Sequence, residues 1–430
     1  MNVTLLPAAP PRTLAFHALD EPPAQVEARF RDAARAGRPR WFWPEVPVAA
    51  WRAALREVER TASRLLAGPS ARAHLGGKGG PDATAFGLAG FTSGLGPLLG
   101  WWIEQEMLDA PPAAAAIFLL QLEHGRARHR RMAEELDGVL SVLHAAGVEA
   151  VVVKGMHTAR DLFPDPGTRP MTDADVVVAQ NRVPAAEAAL RTAGFQRQPE
   201  SLITRPYHAD WTPPGPRRVL RSLWLTHAES PSLLNLHGSF DHPHPGGGVL
   251  RLGEPAPGER VEWDGAAAPA RVLRGAYLAA YLAVHASRER VNLTLLRLAE
   301  LALLFRGGGV DTGRLDALLE RAGARAEAWP ALSLAEALVP GTVDAGLLAV
   351  LERATPPRVR RAYAGVRPAD LPRAHGARPG DYLLWTRGLG SLLRRAGPML
   401  FPTTSPRVLA SVYLRRVRHV ARLLRGGNGE

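Results

Sequence analysis

The chain has 430 residues, 46% of them apolar, enough for two or three packed units with a sizeable core. It contains no cysteine, which excludes disulfides, thiolate metal sites and a cysteine nucleophile. The formal charge of +12 points to an anionic partner: a nucleotide, a phosphorylated substrate, an acidic peptide or nucleic acid.

Residues 1–50, rich in Pro and Ala, read as an irregular arm with one helix over 24–36 and the aromatic cluster Trp41, Phe42, Trp43. No basic segment followed by an apolar one opens the chain, and the longest apolar run, 275–286, is far short of a membrane span. A soluble, cytoplasmic protein without a membrane span is expected. A helix over 51–68 is closed by Gly68. Residues 69–97 are Gly-rich and read as loop; the stretch GGKGGPDAT does not have phosphate-loop spacing.

From Ala113 to Ala146, leucines and Met132 recur at spacings near three and four, which predicts a long helix. The β-branched run 148–155 (VEAVVVKG) predicts a buried strand, with a helix over Met156–Leu162 after it. A second strand is predicted over 172–180 and a helix over 183–195. Weaker alternation follows near 203–211 and 217–226, then a third strand over 232–240 (SLLNLHGSF). From Arg271 the chain reads as mostly helical. The basic tail 414–425 suits a solvated helix face or a nucleic-acid contact; no basic and aromatic interleaving favours the second.

Three features carry chemistry. Of 53 basic residues only Lys78 and Lys154 are lysines, so a lysine marks a place where arginine does not serve. Lys154 and Gly155 end the first strand, where a glycine turn lets phosphate approach the backbone. Asp173 and Asp175 lie two apart on the second strand, so both carboxylates share one face. Such a pair is costly without a cation and suits Mg²⁺ completed by nucleotide phosphates. Arg169 precedes the pair; His157 and Arg160 belong to the turn after Gly155. The group His237, Asp241, His242 and His244 reads either as a zinc site or as a loop with incidental histidines, its prolines and spacing favouring the loop. His285 reads as a core histidine or a ligand, and Glu300 as paired with Arg297 or Arg306 at little energetic consequence if exposed.

The stretch VVVKGMHTARDLFPDPGTRPMTDADVVV resembles the signature of the uncharacterised nucleotidyltransferase family, within the DNA-polymerase-β-like superfamily. The signature runs Lys-Gly, Tyr/Phe-Pro, then Arg-x-Met-x-Asp-x-Asp, and the resemblance covers about residues 95–310. It implies an α+β fold: a small mixed nucleotidyltransferase-type sheet with flanking helices, a helical N-terminal region (1–110), a core with its lead-in helix (111–265) and a helical C-terminal domain (266–430). It also implies that Lys154, Gly155, Arg169, His157 and Asn235 hold the nucleotide, and that Asp173 and Asp175 bind Mg²⁺ or Mn²⁺. The donor would be a nucleoside triphosphate and the acceptor a small molecule, peptide or protein. The superfamily's third carboxylate falls at Asn235, which is no base and a poor ligand. Asp241 is one substitute as ligand, His237 another as ligand or base. A nucleotide-binding scaffold or sensor that has lost the chemistry is the alternative.

Overall fold

The computed structural model describes residues 46–68, 71–77, 80–198, 208–215, 228, 232–243, 249–287, 293–371, 384–386, 388 and 390. The helix read at 24–36, the cluster Trp41–Trp43, Lys78, the segment 217–226, His244 and the basic tail lie outside them. The fold is α+β, as expected.

Helix α1 (Val48–Ala67) is followed by a two-residue strand β1 (Ala73–His74), helices α2 (Ala83–Ser93) and α3 (Gly96–Glu104), and β2 (Leu108–Asp109), which pairs with β1. The loop expected over 69–97 is therefore largely helical. Asp82 caps α2, its side chain accepting from the Ala85 N–H at 2.7 Å. Gly90 of that stretch, and Gly100 just beyond it, serve close packing instead. A Cβ at Gly90 would stand 2.6 Å from the Phe118 ring, and one at Gly100 would stand 2.3 Å from the Phe118 carbonyl oxygen. Both contacts are with α4 (Pro112–Ala145), the predicted lead-in helix.

Strand β3 (Val151–Val153) leads through Lys154 into α5 (Gly155–Asp161). Then come β4 (Asp173–Val177), α6 (Val183–Thr192), β5 (Gln196–Arg197), β6 (His208–Thr212), β7 (Leu233–His237), the short pair β8 (His242–Pro243) and β9 (Val249–Leu250), β10 (Arg260–Glu262) and β11 (Arg271–Leu273). The main sheet has the order β10-β11-β3-β4-β7-β6-β5. It is mixed: β11 with β3 and β4 with β7 run parallel, the other neighbours antiparallel. Arg271–Leu273, read as the start of a helix, is instead the strand beside β3. The helix α7 (Gly275–Ser287) starts only at Gly275, whose φ of +58° makes the turn.

Helices α8 (Leu295–Arg306), α9 (Thr312–Arg321), α10 (Arg325–Leu338), α11 (Ala345–Ala354) and α12 (Pro357–Tyr363) complete the described chain. Two cores flank the sheet. Val152, Ala174, Val176, Leu234, Leu236 and Val272 pack with Met132, Leu136 and Leu140 of α4. Val151, Val153, Val177 and Leu273 join a larger core shared by α1, α2 and the C-terminal helices. Strand alternation thus turns one face of β4 to α4 and the other to the helical domain.

Candidate functional site

The face of β4 turned to the helical domain carries Asp173 and Asp175. The parallel register of β7 sets Asn235 beside Asp175 and His237 beside Val177. Antiparallel β6 then sets Asp210 beside Asn235 and His208 beside His237. Paired residues in a sheet share a face, so a polar band crosses three adjacent strands. Within it, Asn235 Nδ2 donates to Asp173 Oδ2 at 2.9 Å, and His237 Nε2 lies 2.8 Å from Asp175 Oδ1. Toward the rim the His208 and His237 rings lie 4.9 Å apart, and His208 Nε2 lies 3.1 Å from Asp210 Oδ1.

Lys154 enters from the neighbouring strand. Its Nζ donates to Asp175 Oδ1 at 2.7 Å. Its backbone has φ +54° and ψ −129°, a conformation that disfavours a side chain and costs on the order of 1–3 kcal/mol. The turn fixes where the ammonium points, because β3 ends in the sheet and α5 starts at the next residue. Thr158 on α5 locks it from behind, its N–H and hydroxyl both meeting the Lys154 carbonyl, at 2.8 and 2.9 Å.

The two carboxylates are electrostatically unequal. Burial and the adjacent Asp175 charge push Asp173 above the usual carboxylate range, against the pull of Lys154 and Arg297. Burial also opposes ionisation of Asp175, but the Lys154 ammonium and the His237 hydrogen bond outweigh it and hold Asp175 far below that range. His237 is pushed down to about 4, chiefly by burial. Neutral at pH 7, it serves Asp175 as a hydrogen-bond donor through Nε2–H.

Arg169 and Glu300 form a buried pair behind the turn, Arg169 Nε to Glu300 Oε1 at 2.7 Å. Thr158 Oγ1 also bonds Glu300 Oε1. The Glu300 side chain, expected to pair with Arg297 or Arg306, instead joins α8 to the α/β core and is only 2% exposed. Gly155 has a reason the sequence did not suggest: a Cβ there would stand 2.8 Å from Arg169 Nη1. The glycine admits the guanidinium.

Asp173, Asp175, Lys154, Asn235 and His237 are therefore brought together, with Arg169 and Gly155 behind them. His157 is not: it is buried, its Nε2 3.2 Å from Asp161 Oδ2, which Arg274 also holds while Trp263 Nε1 donates to Oδ1. Arg160 reaches the carbonyls of Asp264 and Gly265. Asp241 lies past the end of β7, its N–H donating to Ser239 Oγ and its charge felt by Tyr277. Among the described residues no three His, Asp or Glu side chains form a metal-holding group. His242 packs against Tyr281 and His285, with ring centroids 4.4 and 5.7 Å away. Sequence reading missed His208, Asp210 and Arg297. The alternation His-x-Asp on β6 was the one available signal, and it acquires meaning only through register.

The model of the uncharacterised nucleotidyltransferase family matches residues 91–340, well over half of the chain. The chain belongs to that family. The matched span runs from the end of α2 through α10, so it includes the polar band, Lys154 and the α8 residues Arg297 and Glu300. Family membership supports a nucleotidyl-transfer role. Comparison with curated proteins and with solved structures gave no match. Among the described residues no helix is long and apolar enough to cross a membrane.

Proposed function

We propose that the protein is a Mg²⁺- or Mn²⁺-dependent enzyme that transfers a nucleotidyl or related group from a nucleoside triphosphate, or another activated phosphate donor, to a small molecule, peptide or protein. One observation carries this reading: Asp173 and Asp175 share a strand face, and a lysine held in a strained turn stands over Asp175.

The residues suit a divalent cation. The Lys154 ammonium bonds Asp175, while burial and the Asp175 charge oppose ionisation of Asp173, a penalty that a hard cation would relieve. Asp173 and Asp175 would hold the ion, which when bound neutralises charge on the transferring phosphoryl oxygens. Lys154 holds donor phosphates, with Arg169 brought up behind it by Gly155. Asn235 and His237 fix the two carboxylates by hydrogen bonds. The acceptor oxygen bonds to phosphorus as the bond to the diphosphate leaving group breaks, and the acceptor proton passes to the His208–Asp210 pair at the rim.

A second reading has one observation in its favour. Asn235 spends its amide N–H on Asp173, where a third carboxylate would serve transfer chemistry. The protein would then bind the nucleotide as a scaffold or sensor. Thermal melting with ATP, GTP, CTP and UTP, with and without Mg²⁺, beside the Asp173→Ala/Asp175→Ala variant, tests both readings. A Mg²⁺-dependent rise lost in the variant supports the site, since a ligand that binds the native state raises the midpoint. No rise with any nucleotide removes both. Diphosphate release in the presence of candidate acceptors then separates enzyme from sensor. In the enzyme, Asp210→Asn lowers transfer while leaving nucleotide affinity intact.

A further inference from the structure

Helix α8 places two charged residues one turn apart, Arg297 and Glu300, so they lie along one side of the helix. Glu300 is committed to Arg169 and Thr158 beside the Lys154 turn. Arg297 lies one turn before Glu300 on that side of α8, close enough that Asp173 and Asp175 feel its charge, as do Glu300 and Arg169.

Arg297 differs from the other arginines of this region. Arg169 has Glu300, and Arg128 donates from Nε to the Met171 carbonyl at 2.9 Å. Arg297 has a backbone N–H bonded to Thr294 Oγ1, but among the described residues its guanidinium makes no hydrogen bond or ion pair. Burial pulls its pKa below the usual value. The residue as a whole is half-buried, which leaves the guanidinium accessible to a ligand. A desolvated guanidinium with its five donors unused is costly to keep. The cost makes sense where an anion arrives to use them, and a planar fork of donors matches phosphate oxygens two at a time.

We propose that Arg297 is a phosphate-binding residue that reaches from the helical domain to hydrogen-bond the polyphosphate tail of a nucleoside triphosphate lying between Lys154 and the Asp173–Asp175 pair. This deepens the nucleotidyltransferase reading of the same site and rests on it. It makes α8 one wall of the donor pocket: Glu300 orders the residues behind Lys154, and Arg297, one turn away, takes the phosphates. Arg297 stands on α8 and Lys154 at the end of β3, so a bound polyphosphate would link the helical domain to the sheet.

The test is calorimetric titration of the full-length protein and of the Arg297→Gln and Arg297→Lys variants with ATP, inorganic tripolyphosphate and AMP, all with Mg²⁺, alongside ligand-free melting curves. For Arg297→Gln, affinity for ATP and tripolyphosphate should fall about ten- to hundred-fold, the range for hydrogen bonds to charged groups. AMP binding should be unchanged, and Arg297→Lys should recover part of the loss. The ligand-free Arg297→Gln variant should melt at or above the wild-type temperature, because a charge without a hydrogen-bond partner has been removed. A purely structural arginine gives the opposite pattern, a lower melting temperature with affinity retained, and that result overturns the inference. Equal ATP and tripolyphosphate affinity in wild type and Arg297→Gln overturns it alone. Tripolyphosphate carries no base, so failure of the wild type to bind it or ATP brings down the nucleotidyltransferase reading as well.

Discussion

Replacing Glu300 by leucine should be among the most damaging single changes in the protein. Glu300 is 2% exposed and Arg169 is 8% exposed, so neither charge has water to fall back on. The Glu300 carboxylate accepts from Arg169 at 2.7 Å and also meets Thr158, while Arg297 stands one turn away on the same helix. Glu300→Leu would leave two guanidinium groups near each other with their nearest anion gone. Breaking a buried pair from one side costs about 3–5 kcal/mol, because the abandoned charge stays buried. Removing both partners, in Arg169→Met/Glu300→Leu, leaves only Arg297, which still has the charges of Asp173 and Asp175, and should recover most of the loss. The double variant should therefore be more stable than Glu300→Leu, with a coupling energy of about 2–3 kcal/mol. Urea denaturation at neutral pH, followed by tryptophan fluorescence, measures all four corners of the cycle. A Glu300→Leu protein within about 1 kcal/mol of wild type would refute the reasoning, as would a double variant less stable than that single one.

Three further outcomes follow from the same geometry. Gly155→Ala places a Cβ 2.8 Å from Arg169 Nη1, and Arg169 is tethered to Glu300; a loss of about 1–3 kcal/mol is expected by calorimetry, and an unchanged melting point would count against the tether. Lys154→Gly relieves the +54° φ, worth about 1–3 kcal/mol, but strips buried Asp175 of its cation, a loss of about 3–5 kcal/mol. Stability should fall by less than in Lys154→Ala while Mg²⁺–nucleotide affinity falls in both, and equal stability of the two variants would remove the strain. His237 is neutral in the fold down to about pH 4, whereas in the unfolded chain it takes up its proton near 6.5. The unfolded state thus binds more protons in that window, and stability should decline as pH falls from about 6.5 to 4, by roughly 3 kcal/mol for this group. A His237→Gln protein should show a flatter profile there, and identical profiles would remove the assignment.

The site was legible where local alternation carried it. Asp-x-Asp on β4 and Asn-x-His on β7 each declare a shared face, and the sheet then sets the two strands side by side. Arg297 and Asp210 were not legible in the same way. Nothing within α8 says that Arg297 comes within reach of the Asp173 and Asp175 charges, and nothing near Asp210 says that β6 pairs with β7. Both facts come from long-range register. Glycine misled in the other direction: the stretch over 69–97 looked like loop because Gly-rich composition usually marks turns, whereas Gly90 and Gly100 let helices approach α4 more closely than a Cβ permits. Three residues of β11 escaped notice because they run straight into a long apolar helix.

The scarcity of lysine has a practical consequence at the strained turn. Lys154 and Lys78 are the chain's only lysines, and Lys154 is the one beside the carboxylates. An amine-selective acylating reagent therefore finds few targets, and one that carries a polyphosphate would be delivered to Lys154. Trypsin normally cuts after Lys154, separating Met132–Lys154 from Gly155–Arg160. Acylation blocks that cut and leaves a single peptide, Met132–Arg160, whose yield reports occupancy of the site without a chromophore, a known acceptor or any turnover.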